Sequence, residues 1–240
     1  MELRHVTRRY GAVVALNSIE TTFESGRIVA VVGANGAGKS TLLRILAGLT
    51  GPDSGGVFLD GRRLDLGDLE MRRRIGFLPD FPGLFPEDSV LTNLALTLRL
   101  YHADGSEAGP RVLGLLEELD LLTSAEMPAG TLSRGQAYKT ALIGLIASAP
   151  DLWLLDEPLA SGMDPRGLAV LRREMRAAAR SGRTLLFTTQ LVELAESLAD
   201  TLLVLRYGAA VWQGPPGDLR RAASAPGGEA LADLLPPDEP

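Results

Sequence analysis

Hydrophobic residues along this chain follow two patterns, short continuous apolar runs and longer stretches with helical spacing. Short apolar runs bounded by glycine, proline or charged residues predict buried strands. Such runs occupy residues 28–32, 75–79, 152–155, 184–189, 202–206 and 209–212. Two more near the N-terminus, 2–6 and 19–23, are followed by glycine turns and predict an antiparallel pair, and residues 57–61 predict a strand with a hairpin turn.

Apolar residues recur every three or four positions between these runs, which predicts helices. The predicted helices lie at residues 42–47, 91–101, 112–119, 133–147 and 165–180, with a short one at 218–223. Strands that alternate with helices are typical of an α/β fold with a parallel sheet. Between residues 80 and 132 the apolar residues recur with helical spacing over 91–101 and again over 112–119, so we expect a helical lobe inserted between strands of this core.

A glycine-rich segment joins the first buried strand to the first helix. It consists of Gly33, Ala34, Asn35, Gly36, Ala37, Gly38, Lys39, Ser40 and Thr41. A strand, a glycine-rich turn and a helix in this order are typical of a phosphate-binding P-loop, because the turn and the helix N-terminus aim several N–H groups at one anion. We expect Lys39 to contact the β and γ phosphates and the Ser40 hydroxyl to ligate magnesium. The sequence therefore predicts a nucleoside triphosphate site.

Two carboxylates follow another buried strand. Asp156 and Glu157 come directly after the apolar residues 152–155. The carboxyl end of a buried parallel strand lies at the ligand-binding edge of its sheet. We therefore expect Asp156 to bind magnesium, usually through water, and Glu157 to be the general base for a water beside the γ-phosphate.

Several other positions leave more than one interpretation open. Tyr10 precedes the P-loop, where its ring can stack on a base, although the sequence alone favours a packed turn tyrosine. Ser133 and Gln136 fit a capping box at a helix start, and that helix start also suits a second phosphate site. Asp164 is predicted to cap the following helix. The loop at 81–86, rich in phenylalanine and proline, is either a docking patch or a packed lid.

Composition restricts the class of protein. The 240 residues are 45% hydrophobic, enough for one large domain or two small lobes, and the net charge of -6 argues against a nucleic-acid partner. The absence of cysteine excludes disulfides, thiolate metal sites and cysteine nucleophiles.

The longest apolar run, 141–149, is too short to span a bilayer, and residues 1–5 do not begin a signal peptide. We therefore expect an intracellular chain whose membrane role comes through a partner.

Five segments occur together in one order along the chain. They are the P-loop, LSRGQ at 132–136, LLDEP at 154–158, SGMDP at 161–165 and TTQ at 188–190. This combination is similar to the ATP-binding subunits of ABC transporters over roughly residues 1–220. The resemblance implies a P-loop NTPase α/β core, a small antiparallel β subdomain and an inserted helical subdomain at about 80–135. It also implies two cofactors, ATP and Mg²⁺, and a head-to-tail dimer around ATP.

The resemblance implies roles for particular residues. Tyr10 would stack on adenine. Ser133 and Gly135, with Gln136 in the same segment, would reach the γ-phosphate of the ATP that the partner chain's P-loop binds. Asp164 would lie near the dimer contact.

Three positions depart from the family pattern. Asp80 replaces a glutamine that touches magnesium and the attacking water; a carboxylate can hold magnesium but cannot donate a hydrogen bond. Gln190 replaces a histidine and can bond to the γ-phosphate without titrating. Arg134 replaces the first glycine of the signature pair and adds a cation. We expect nucleotide binding to survive and hydrolysis, with Glu157, Gln190 and Asp80 as the catalytic group, to be slow.

The function favoured by this pattern is an ATPase that energises transport, as an exporter, through a separate integral membrane permease. The subunit would form a homodimer or a heterodimer and lie in the cytoplasm at the inner face of the membrane, held there by the permease. A soluble nucleotide-dependent switch with weak hydrolysis is the alternative, motivated by Asp80 and Gln190. A DNA-repair or translation ATPase would need a long coiled coil or a tandem domain, which the sequence does not suggest. A neighbouring gene for a multi-span membrane protein would separate the first two functions.

The predicted domain division follows the same pattern. Residues 1–220 are assigned to the ATP-binding domain. Residues 221–240 are rich in proline, glycine and alanine, and we expect them to form a mobile tail.

Overall fold

The computed structural model describes residues 1–65 and 67–224. Its strands are β1 (Glu2–Tyr10), β2 (Val13–Thr22), β3 (Ile28–Val32), β4 (Ser54–Leu59), β5 (Arg62–Arg63), β6 (Ile75–Leu78), β7 (Leu152–Leu155), β8 (Thr184–Thr189), β9 (Thr201–Arg206) and β10 (Ala209–Gly214). Its α-helices are α1 (Lys39–Leu46), α2 (Leu69–Arg73), α3 (Val90–Leu100), α4 (Ala108–Glu118), α5 (Arg134–Ser148), α6 (Pro165–Arg180), α7 (Val192–Leu198) and α8 (Leu219–Ala223). The predicted α/β class is confirmed.

A six-stranded sheet in the order β10-β9-β3-β8-β7-β6 forms the centre of the protein. Strands β9, β3, β8, β7 and β6 pair in parallel, and β10 is antiparallel to β9. Val29 and Val31 pack in the layer that contains α1, whereas Ala30 and Val32 pack in the layer that contains α5, α6 and α7. Because both faces are covered, these strands are continuous apolar runs. The carboxyl ends of β3, β8, β7 and β6 therefore meet at one edge of the sheet.

A smaller antiparallel sheet, in the order β2-β1-β4-β5, lies against the α1 side of the core. Its first hairpin is longer than the predicted strands at 2–6 and 19–23. The added residues include the charged Arg8 and Arg9 beside two irregularities in the β1–β2 register, so the apolar alternation that marks a strand is lost there. The two-residue β5 carries two exposed arginines and has no apolar signal.

The helical lobe lies between β6 and β7, as predicted. Val90, Leu94 and Leu98 are buried on α3, which packs against α5. The loop before α3 is fixed by the buried Asn93, whose amide accepts from the Phe85 N–H at 2.8 Å and donates to the Phe85 carbonyl at 3.1 Å. The Phe85 ring itself stays exposed. The backbone of this loop is therefore anchored while its aromatic side chain faces outward.

The C-terminal part of the described chain ends with α8, which confirms the short helix predicted at 218–223. The predicted tail at 221–240 overlaps the last three residues of α8, and residues 225–240 lie outside the described residues. Within residues 1–65 and 67–224, no helix combines the length and apolar character needed to cross a membrane.

Candidate functional site

The P-loop turns between β3 and α1 because its glycines adopt conformations that other residues avoid. Gly36 and Gly38 have positive φ angles of 80° and 104°, and Gly38 immediately precedes α1. A side chain at Gly33 would overlap the Leu205 carbonyl of β9, and one at Gly38 would overlap the Ala15 carbonyl. The loop is therefore held between two neighbouring strands with its helix N-terminus directed at the sheet edge.

Lys39, the first residue of α1, is only 6% exposed. Its Nζ donates to the Gly33 carbonyl at 2.8 Å and lies 3.4 Å from Glu157 Oε1. The lysine is thus folded back over the P-loop with its charge facing the end of β7. From this position the Lys39 ammonium group can swing to a bound phosphate while the rest of the side chain moves little.

Asp156 forms a buried hydrogen-bond network at the end of β7. Its Oδ1 accepts from Ser40 Oγ at 3.1 Å and from Thr188 Oγ1 at 2.7 Å, and the residue is 6% exposed. The structure therefore brings together two of the three residues predicted to bind magnesium, Ser40 and Asp156, whereas the third, Asp80, is paired with Arg134. Thr188 is a further member of this network, and its place in the sequence predicts only a strand position within the TTQ segment.

Glu157 is held with its backbone in the left-handed region, at φ 46°, and its N–H donates to Thr188 Oγ1 at 2.8 Å. Burial raises the pKa of the Glu157 carboxyl above its usual range, the charges of Asp156 and Asp80 add to the rise, and Lys39 opposes it. A carboxylate with a raised pKa is a stronger proton acceptor than an ordinary one. The geometry is therefore compatible with the predicted role of general base.

Asp80 and Gln190 both follow strands of the same sheet edge. Asp80 lies just beyond β6, and its carboxylate forms an ion pair with Arg134. Gln190 directly follows β8 and is exposed. Their predicted roles in magnesium binding and γ-phosphate contact stay predictions, and in this conformation the Asp80 carboxylate is engaged by arginine.

The LSRGQ segment opens α5 with a complete capping box. Ser133 Oγ accepts from the Gln136 N–H at 3.3 Å, and the Gln136 side chain accepts from the Ser133 N–H at 3.0 Å. A side chain at Gly135 would overlap the Gly162 carbonyl, so α5 begins in close contact with the SGMDP turn. The capping interpretation is confirmed. The contact of the exposed Ser133 with phosphate stays a prediction.

Asp164 caps α6 by accepting from the Gly167 N–H at 2.7 Å. The same carboxylate accepts from Nζ of Lys139, a buried lysine of α5, at 2.6 Å, and this contact holds the pKa of Asp164 below its usual range. Lys139 also donates to the Leu119 carbonyl at 3.0 Å. The SGMDP turn and the start of α5 therefore form one connected unit.

The predicted nucleotide residues fall into two groups. The P-loop residues, Asp156 and Glu157 form one group, and Ser133, Gly135, Gln136 and Asp164 form the other. Among residues 1–65 and 67–224, no hydrogen bond or ion pair joins Ser133, Gly135 or Gln136 to the P-loop. Tyr10, at the end of β1, is 46% exposed, with the Arg8 guanidinium 4.9 Å from its ring centroid. Its stacking role remains a prediction.

The fold and this arrangement of side chains define a P-loop nucleotide-binding protein of the α/β class. A sequence model of the ABC transporter family matches residues 16–160. The chain is 33% identical over 216 residues to the Nod factor export ATP-binding protein I of Burkholderia lata, covering 90% of this chain and 71% of that protein. It is 34% identical over 219 residues to the protein of that name from Cupriavidus pinatubonensis, covering 91% and 67%.

Solved structures show the same relationship. An ATP-binding subunit of an ABC transporter aligns with a TM-score of 0.88 at 28% identity, covering 97% of this chain and 98% of that one. A dimeric bacterial ABC transporter cassette aligns with a TM-score of 0.79 at 25% identity, covering 90% and 98%. The chain belongs to the ABC transporter family, as an ATP-binding ATPase whose hydrolysis is coupled to transport. The predicted family, fold and enzyme class are thereby confirmed.

Proposed function

We propose that this chain is the ATPase subunit of an exporter and that it drives a separate integral membrane permease. The observation that carries the proposal is the joined network at the sheet edge, in which Ser40 and Thr188 converge on Asp156 while Lys39 faces Glu157. The direction of transport is supported by the two curated relatives, which are named for Nod factor export. Through the permease, the subunit would lie at the cytoplasmic face of the membrane.

We infer that magnesium is bound with ATP beside Ser40 and Asp156. Hydroxyl and carboxylate oxygens are the ligands that Mg²⁺ prefers, and Mg²⁺ usually keeps several waters and takes further ligands from phosphates. Within residues 1–65 and 67–224, no cluster of three or more metal-binding His, Cys, Asp or Glu side chains occurs. The donor set therefore fits an ion held jointly by protein, phosphate and water. Bound there, the ion would offset negative charge on the phosphates.

Triphosphate binding would change the surroundings of Glu157. The phosphates compete with Glu157 and the Gly33 carbonyl for Lys39, since an ammonium prefers the more highly charged anion. When Lys39 moves to phosphate, Glu157 loses the cation that lowers its pKa. Its carboxylate then becomes a better proton acceptor for the attacking water. Nucleotide binding thus prepares the general base.

The residues around the start of α5, which are Ser133, Gly135, Gln136 and Asp164, favour a dimer. Ser133 and the start of α5 are exposed and are not joined to this chain's own P-loop, so they are available to another chain. We propose that two chains associate head to tail, as a homodimer or heterodimer, with Ser133, Gly135 and Gln136 facing the partner's ATP. The structural similarity to a dimeric cassette supports this arrangement. Asp164 would then lie beside the contact.

The permease is proposed to meet the protein between the core and the helical lobe. Phe81 and Phe85 are 69% and 56% exposed on the loop before α3. A cleft of about 400 Å³ between the core and α3 is lined in part by the exposed Leu49, Leu69 and Leu100. Exposed apolar residues around a cleft are typical of protein interaction sites. This favours the docking interpretation of the aromatic loop.

A soluble switch with weak hydrolysis is the second candidate function. The specific observation in its favour is that the Asp80 carboxylate is paired with Arg134. The two candidates differ in one measurement. An exporter subunit should hydrolyse ATP faster when its permease is present, whereas turnover of a switch should not depend on a permease.

The test of the proposed chemistry is Glu157→Gln, with the exposed Glu126→Gln as control. The amide keeps the shape of Glu157 and removes proton acceptance, so we expect turnover to fall by at least about a hundredfold. ATP should still bind, and the dimer should accumulate in size-exclusion chromatography. Hydrolysis by Glu157→Gln at the wild-type rate would show that another residue is the base.

A further inference from the structure

Asp80 and Arg134, which lie far apart in the chain, are in direct contact. The Arg134 guanidinium forms an ion pair with Asp80 and lies 4.3 Å from the centroid of the Phe81 ring. Arg134 is the first residue of α5, and Asp80 and Phe81 follow β6. Asp80 and Arg134 are 54 residues apart in the chain. A guanidinium binds carboxylates at its edge and aromatic rings at its face. Arg134 makes both kinds of contact, one with the Asp80 carboxylate and one with the neighbouring Phe81 ring.

The location of Asp80 gives this contact an electrostatic consequence. Asp80 is a third carboxylate near the edge that already carries Asp156 and Glu157, and its charge opposes ionisation of Glu157. A triphosphate bound at the P-loop would be repelled by an uncompensated Asp80, because like charges at short range disfavour each other. Arg134 supplies a compensating charge directly at that carboxylate.

We propose that Arg134 is a positioning residue that holds Asp80 and Phe81 against the start of α5 and neutralises Asp80 beside the ATP site. The part of the inference that concerns ATP rests on the proposed function. The link joins residue 80, whose charge acts on Glu157, to the segment that faces the partner's ATP in the proposed dimer.

The first test needs no nucleotide. Hydrogen–deuterium exchange of peptides covering residues 80–84 should become faster in Arg134→Ala, because the loop loses its tie to α5. Arg173→Ala is the matched control, since the Arg173 and Glu118 side chains are 50% and 33% exposed, against 43% and 34% for Arg134 and Asp80. The control should leave these peptides unchanged. Unchanged exchange in Arg134→Ala would overturn the positioning role.

The second test is a double-mutant cycle on ATP affinity, measured in EDTA so that metal binding does not contribute. Arg134→Ala should weaken ATP binding about tenfold, and Asp80→Asn in the same chain should bring it back to within about twofold of wild type. Rescue by the second substitution excludes a merely structural effect. Losses that simply add would overturn the neutralising role. A wild-type chain that binds no ATP would overturn the proposed function instead, and the exchange experiment would still decide the link.

Discussion

Thr188→Val tests whether an uncharged residue holds the two acidic residues of the site in place. Thr188 is fully buried at the carboxyl end of β8. Its hydroxyl donates to Asp156 Oδ1 at 2.7 Å and accepts from the Glu157 N–H at 2.8 Å. Valine has nearly the same shape but can make neither bond. The substitution leaves a buried carboxylate short of one donor and the partly buried Glu157 N–H without its acceptor.

The expected cost follows from these two bonds. A hydrogen bond to a charged group contributes about 1.5–3 kcal/mol and a neutral one about 1 kcal/mol. Asp156 keeps its second donor, Ser40 Oγ at 3.1 Å, which limits the loss. We therefore expect the free energy of unfolding to fall by about 2–4 kcal/mol. ATP turnover should fall as well, because the backbone of Glu157 is no longer fixed, while ATP affinity should change less.

Urea unfolding followed by tryptophan fluorescence measures this change, since Trp153 is buried in β7 three residues before Asp156. Thr140→Val is the matched control. Thr140 is also fully buried, and its hydroxyl donates to the Gln136 carbonyl of its own helix, so its loss should cost less than about 1 kcal/mol. Equal destabilisation by the two substitutions would refute the argument that Thr188 supports the site.

Three further predictions concern other parts of the site. Lys39→Ala should lower ATP affinity, measured by calorimetry, by about one to two decades, because a charge-assisted phosphate contact is lost; unchanged affinity would contradict the site. Gln190→His should raise steady-state hydrolysis with the permease present, by up to about two decades, and a slower enzyme would show that the site depends on the glutamine. Lys139 lowers the pKa of Asp164, so the stability that Asp164 contributes is present above its unfolded pKa of about 3.9 and is lost as the pH falls further. The stability difference between wild type and Asp164→Asn in unfolding experiments should therefore shrink below about pH 4, and a difference that does not change with pH would contradict this.

Residues whose roles depend on their near neighbours could be predicted from the sequence. Ser133 and Gln136 are three residues apart and form the capping box that their spacing indicates. Asp164 caps α6 for the same reason. The buried strands were recognisable because helices cover both faces of the parallel sheet, which requires apolar residues at nearly every position. The sequence does not predict the outer part of the β1–β2 hairpin, because its exposed and irregular pairing requires no such apolar pattern.

The sequence by itself determined the P-loop, the order of strands and helices, and the acidic end of β7, since each depends on residues adjacent in the chain. The tertiary structure decided which of these side chains meet. Ser40 reaches Asp156 across 116 residues, Thr188 reaches Asp156 across 32, and Arg134 reaches Asp80 across 54. These contacts depend on the strand order β3-β8-β7-β6 and on where α5 begins beside the loop after β6. The spacing of residues along the chain does not predict these contacts, because they are set by the packing of the sheet and its helices.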